Sequence, residues 1–236
     1  MKITTINSIE VSSLCNLNCQ YCPASKQGQH RNIGIMDMGT FEKAIEIVAH
    51  YAGQGTQKEL NLFGIGEPLL NPLILDFVEM ARNYVPMSQE VHLNTNGILM
   101  DRDLALNLKL AGISSIDITG HHPYHTAKTI RILQEVGIPG QLSVDFMVRP
   151  NDWAGQVEWF KSQYRYKCPW IERGQVMVMS NGDVTTCCID AFGKGVVGSV
   201  DDDLSDIDLE PFELCQSCHH DVPRGIIIEE PRVLTA

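Results

Sequence analysis

From residue 7 to about residue 160, short apolar runs alternate with stretches whose apolar residues recur every three or four positions. The first kind predicts strands and the second helices. Ile9, Val11 and their neighbours form the first run. Phe41, Ala44, Ile45 and Val48 then mark one face of a helix that Thr40 can cap. Glu59 to Phe63 is a second strand, closed by Gly64-Ile65-Gly66. Pro72 suits the first turn of a helix with Leu73, Phe77, Ala81 and Tyr84 on one face. Val91 to Leu93 is a third strand, followed by a short helix from Asp101 that Gly112 ends. Ser115 to Thr119, a helix with Ile130, Leu133 and Val136 stopped by Gly137, and a strand from Leu142 to Val148 complete the series.

Repeated strand–helix units with short links predict a parallel sheet with helices outside. Right-handed crossovers curl such a sheet toward a TIM-like barrel, and about five strands make it a partial one. The unusual loops all fall at the C-terminal ends of strands, where such folds carry their chemistry. The fold class is therefore α/β: a partial (β/α) barrel over residues 1–163, followed by a small C-terminal domain over 164–236. That second region is turn-rich. It contains Val176 to Met179 and Val184 to Thr186 around Asn181-Gly182, a strong β-hairpin signal.

The 236 residues are 44% hydrophobic, enough for one sizeable core and a small appendage. A net charge of −11 argues against a broad basic face for nucleic acid, although Arg149, Lys161, Arg165, Lys167 and Arg173 could form a local basic rim. No apolar run approaches about 18 residues, so no membrane span is expected, and the N-terminal residues do not read as a leader. Eight cysteines without that context suit reduced, metal-bound thiols in a cytoplasm.

The thiols fall into two groups. Cys15, Cys19 and Cys22 have the spacing C-x3-C-x2-C, with Tyr21 before the last. Three thiolates can hold three irons of a [4Fe–4S] cube and leave the fourth open for a small molecule. Short cysteine spacings also serve zinc, which needs a fourth ligand nearby. Cys168, Cys187, Cys215 and Cys218 are the second group, with Cys188 to spare; on spacing alone, zinc held by four cysteines is a serious rival there.

The first run resembles the signature of the radical S-adenosylmethionine (SAM) superfamily. Gly64-Ile65-Gly66-Glu67-Pro68 resembles that family's Gly-Gly-Glu-Pro turn, with Ile65 in place of the first glycine, and Thr95-Asn96-Gly97 resembles the Thr-Asn-Gly that closes the third strand in many relatives. The resemblance implies that the open iron chelates SAM and that reductive cleavage yields a 5′-deoxyadenosyl radical, which removes a hydrogen atom from substrate. It implies SAM contacts from Tyr21, Gly64, Gly66, Glu67, Asn94, Thr95, Asn96 and Thr119, though a plain turn accounts equally well for Thr95 to Gly97. His121 stands where relatives often have an aspartate facing the active site, though any single histidine of His121, His122 and His125 is also explained by a polar loop. Arg149, at the end of the fifth strand, would face the cavity and could clamp a carboxylate or orient a hydroxyl, the alternative being a solvated arginine before a proline. Trp153, Trp159 and Trp170 read as packing residues. The second group resembles the auxiliary-cluster extension called the twitch domain, a shortened SPASM domain, which implies a second [4Fe–4S] cluster. Of functional types, 2-deoxy-scyllo-inosamine dehydrogenases are similar in layout. The expected partners are a small-molecule or nucleotide substrate and a flavodoxin or ferredoxin-type reductant, for a monomer. Rearrangement of a nucleotide or nucleic acid base, peptide modification, and an iron–sulfur electron carrier are the alternatives.

Overall fold

A computed structural model describes residues 1–52, 58–144, 152–158, 166–218 and 220–221. The elements run β1 (Thr5–Ile9), α1 (Met38–Ala52), β2 (Glu59–Asn61), α2 (Ile74–Tyr84), β3 (Glu90–Thr95), α3 (Arg102–Ala111), β4 (Ser115–Thr119), α4 (Pro123–Val136) and β5 (Leu142–Val144). They continue through β6 (Tyr166–Lys167), α5 (Pro169–Glu172), β7 (Gln175–Val178), β8 (Asp183–Thr185), β9 (Val196–Ser199) and β10 (His220–Asp221). The fold is the α/β partial barrel that the alternation predicts. Its eight-stranded sheet has the order β5-β4-β3-β2-β1-β7-β8-β9, and β6 pairs with β10 apart from it.

The helices dock by the faces their periodicity marks. Phe41, Ala44, Ile45 and Val48 of α1 are buried, and Phe41 stacks on Phe77 of α2 with ring centroids 4.0 Å apart. Tyr84, by contrast, is exposed at the end of α2. The cap of α1 is also displaced: Asp37 Oδ1 accepts the Thr40 backbone N–H at 2.8 Å, because a carboxylate three residues ahead reaches the unpaired amide. Asp101 caps α3 through the Leu104 N–H, and Gly112 and Gly137 end α3 and α4 in the left-handed region.

The hairpin is where tertiary structure adds most. β7 pairs parallel with β1, so it forms a sixth parallel strand on the edge that β1 would otherwise leave open. β8 and β9 then extend the sheet antiparallel. The hairpin thus belongs to the same sheet as the barrel strands, and the boundary expected at 163/164 lies outside the described residues. Among the described residues no helix is long and apolar enough to cross a membrane.

Candidate active site

One cavity of about 210 Å³ opens at the C-terminal ends of the barrel strands. Cys15, Cys19, Cys22, Gly64, Gly66, Glu67, Asn94, Thr95, Asn96, Thr119 and His121 all line it. Residues more than a hundred positions apart are thereby brought together, because parallel strands end side by side. Tyr21 stands behind this wall: its ring stacks on His121, and its hydroxyl shares a 2.9 Å hydrogen bond with His121 Nδ1. Its backbone carbonyl accepts from Trp153 Nε1 at 2.9 Å. Trp153 lines the cavity too, which a reading as a packing residue did not anticipate; Trp170 is buried in the main core as expected. Arg149 and Trp159 lie outside the described residues.

The two glycines of the turn after β2 are needed by the fold itself. A Cβ on Gly66 would stand 2.6 Å from Leu14 O and closer still to Ser12 O. One on Gly64 would stand 2.6 Å from the Glu10 side chain. This close approach lets the Glu67 N–H donate to Leu14 O at 2.8 Å, pinning the turn to the cysteine loop. Ile65, standing in place of the first glycine of the Gly-Gly-Glu-Pro turn, is buried with Ala191 and Phe192 and so anchors the turn to the C-terminal region.

Glu67 is almost wholly buried. Oε1 accepts from Leu69 N at 3.1 Å and Thr95 Oγ1 at 2.7 Å, and Oε2 accepts from Asn96 N at 2.8 Å. Burial pushes its pKa up, against the pull of these three bonds. The carboxylate therefore splints the turn after β2 to the end of β3. Asn96 extends the splint, donating Nδ2 to Asn16 Oδ1 at 2.7 Å in the cysteine loop. Thr119 Oγ1 donates to Asn94 Oδ1 at 2.8 Å, which leaves the hydroxyl oxygen free to accept.

The sequence reading missed Glu10 and Arg31. Both are buried and paired through Arg31 Nη2, 2.9 Å from each Glu10 oxygen. Glu10 also accepts from Ile65 N and Ser180 N, each at 3.1 Å, and Arg31 Nε donates to Ala191 O at 2.8 Å. One ion pair thus ties β1, the turn after β2 and the hairpin region together. The available signal was a glutamate set between Ile9 and Val11 in an apolar run.

Cys22 is pushed up to about 12 by burial, with Cys19 and Cys15 adding to the rise. Burial also raises Cys15, opposed by the Leu17 N–H, 3.4 Å from its sulfur. Positive charge nearby would favour the thiolate forms of Cys15 and Cys22, and an iron–sulfur cube held by Cys15, Cys19 and Cys22 suits that donor set. His121 Nδ1 lies 3.7 Å from Cys19 Sγ, and burial lowers the histidine's pKa. In the second group, Cys168 precedes α5, Cys187 and Cys188 follow β8, and Cys215 sits in a turn before Cys218. Cys168, Cys187 and Cys215 act on one another electrostatically. Hydrogen bonding with Cys188 and burial raise Cys187, and burial raises Cys215 to about 11. Cys187, Cys188 and Cys218 flank one apolar cluster of Ala154, Ile189 and Leu214.

A partial (β/α) barrel with a three-cysteine cavity at its strand ends defines a class of metal-dependent enzyme built on thiolate ligands. Residues 9–150 match the family model for the Radical SAM superfamily. The chain belongs to that superfamily. It is 35% identical over 112 residues to a GTP 3′,8-cyclase of Alkaliphilus oremlandii, covering 47% of this chain and 33% of that protein. It is 29% identical over 122 residues to the S-adenosyl-L-methionine-dependent 2-deoxy-scyllo-inosamine dehydrogenase of Niallia circulans, covering 51% and 46%. The alignments thus span about a third to a half of these relatives. The crystal structure of BtrN in complex with AdoMet and 2-DOIA superposes with a TM-score of 0.65 at 21% identity, over 86% of this chain and 81% of that one.

Proposed function

We propose that this enzyme oxidises a small-molecule alcohol, sugar- or cyclitol-like, by radical SAM chemistry. The observation that carries the reading is the convergence of Cys15, Cys19 and Cys22 with the Glu67–Thr95–Asn96 splint in one cavity. Cys15, Cys19 and Cys22 would hold a [4Fe–4S] cube, and four of the second group, Cys168, Cys187, Cys215 and Cys218, an auxiliary one in a twitch-like arrangement. When bound, the first would supply the electron for cleavage of SAM to methionine and a 5′-deoxyadenosyl radical, which takes a hydrogen atom from the substrate carbon, and the second would accept the remaining electron as the hydroxyl proton passes to solvent.

The chain's own residues supply the frame. Gly64 and Gly66 let the turn after β2 lie against the cysteine loop. Thr119 presents a hydroxyl oxygen, oriented by Asn94, to a ligand's O–H or N–H. His121, its pKa lowered by burial and its ring fixed by Tyr21, presents a polar ring edge beside Cys19. Arg149 would hold the reacting hydroxyl or a nearby anionic group by hydrogen bonding, since its pKa is too high for easy proton transfer. A flavodoxin or ferredoxin-type protein would supply reducing electrons. The match to GTP 3′,8-cyclases supports a second reading, rearrangement of a nucleotide.

The test is anaerobic reconstitution with SAM, reductant and candidate alcohols or nucleotides deuterated at the reacting carbon. Wild type should bind about eight irons, cleave SAM and carry label into 5′-deoxyadenosine. Replacing Cys15, Cys19 and Cys22 with alanine should abolish cleavage, whereas Cys188→Ala should leave iron content nearly unchanged. With unlabelled substrate, product two mass units lighter supports dehydrogenation, and product of unchanged mass supports rearrangement. Undiminished cleavage in the triple variant would sink the assignment.

A further inference from the structure

Residues 152–157 form a tight turn between the two cysteine groups. Trp153 and Ala154 both sit in the left-handed region, at φ 52° and 57°, and Gly155 follows at φ 84°. Consecutive non-glycine residues there are strained and persist only where surrounding contacts hold them. Those contacts reach both ways. Toward the first group, Trp153 Nε1 donates to the carbonyl of Tyr21, which lies between Cys19 and Cys22. The indole also packs against the Ile65–Ala191–Phe192 cluster, which Cys22 flanks. Toward the second, it packs against the Ala154–Ile189–Leu214 cluster, which Cys187, Cys188 and Cys218 flank. Gln156 Nε2 donates to Trp153 O at 2.7 Å and to Ile189 O at 2.5 Å, one residue past Cys188.

We propose that Trp153 is a positioning residue that braces the loop of Cys19 and Cys22 against the loop of Cys187 and Cys188, so that the wall of the SAM cavity is set partly by the second cysteine group. The strain fits this role. A relaxed turn would carry the indole away from one partner or the other, and the three hydrogen bonds plus two apolar contacts offset the backbone cost. A packed indole N–H needs an acceptor, and the one it finds here lies between Cys19 and Cys22. The consequence for the site rests on the functional reading above, but the brace itself does not.

The experiment is hydrogen exchange by mass spectrometry on the full chain, reconstituted and metal-free, for wild type, Trp153→Phe, Trp153→Ala and Gln156→Met. Loss of one hydrogen bond of ordinary net strength corresponds to about a five-fold gain in exchange. Trp153→Phe keeps a ring but no donor, and should speed exchange around residues 19–23 about five-fold while sparing 187–191. Gln156→Met should do the reverse. Trp153→Ala should loosen both loops together. In the reconstituted protein, Trp153→Phe should also alter the electron paramagnetic resonance line shape of the reduced first-site cluster at unchanged iron content. Unchanged exchange at 19–23 in Trp153→Phe, or loosening of only one loop in Trp153→Ala, overturns the brace. If the exchange pattern holds while no variant cleaves SAM, the brace stands and the functional reading falls.

Discussion

Gly66→Ala tests whether the turn after β2 is held by backbone approach to the cysteine loop. The added Cβ would stand 2.6 Å from both Leu14 O and Ser13 C, and nearer still to Ser12 O. Real Cβ atoms essentially never come within 3.0 Å, and the obstacles are backbone, so no side chain can swing aside. The two segments must separate by roughly half an ångström, which forfeits much of the local dispersion contact. Overpacking of this kind costs about 1–3 kcal/mol. Separation also stretches the 2.8 Å bond from Glu67 N to Leu14 O, worth about 0.5–1.5 kcal/mol. The expected loss is about 2–4 kcal/mol, a fall of about 5–15 °C in melting temperature for a chain this long. Gly34→Ala is the control, because a Cβ there meets nothing within 4 Å; removing unfolded-state freedom should leave it neutral or slightly stabilised. Urea denaturation of both metal-free variants, followed by circular dichroism, gives the comparison. If Gly66→Ala is as stable as Gly34→Ala, the glycine is not required by the cysteine loop, and its role must be sought in ligand approach alone.

Two further outcomes follow from the buried charges and thiols. Removing one partner of the Glu10–Arg31 pair, by Glu10→Gln or Arg31→Met, should cost about 3–5 kcal/mol, while the double variant should cost clearly less than the sum; additive losses in a urea double-mutant cycle would show that the pair is not coupled. Burial holds Cys22 at about 12 and Cys215 at about 11, above the ordinary thiol value of 9.0. A group raised this way contributes stability that is fully present below about pH 9 and lost as pH rises through the folded values. Metal-free protein should therefore weaken to urea between pH 9 and 11, and Cys22→Ser should flatten part of that decline; a flat profile in wild type would contradict the burial of these thiols.

Much of this molecule is legible from local pattern. Apolar periodicity marks α1 through α4, because one helical face must dock on the sheet, and the turn residues Gly112, Gly137 and Gly182 punctuate it through their left-handed backbone. The cysteine spacing and the Gly64 to Glu67 turn point to the cavity, since ligand chemistry is written in residue type and interval. Other features depend on partners distant in sequence. No local signal in residues 175–178 says that β7 will pair with β1, because any exposed strand edge can accept a parallel neighbour and the choice is made by global packing. Glu67 was legible as a cofactor contact, yet its carboxylate meets Leu69, Thr95 at the end of β3 and Asn96 just past it. Trp153 could not be told from a core tryptophan, since its position depends on a strained turn held by Tyr21 and Ile189. Sequence alone determined which chemistry the chain carries. Tertiary structure decided which groups share the cavity wall, because burial, charge pairing and backbone strain are settled only when distant segments meet.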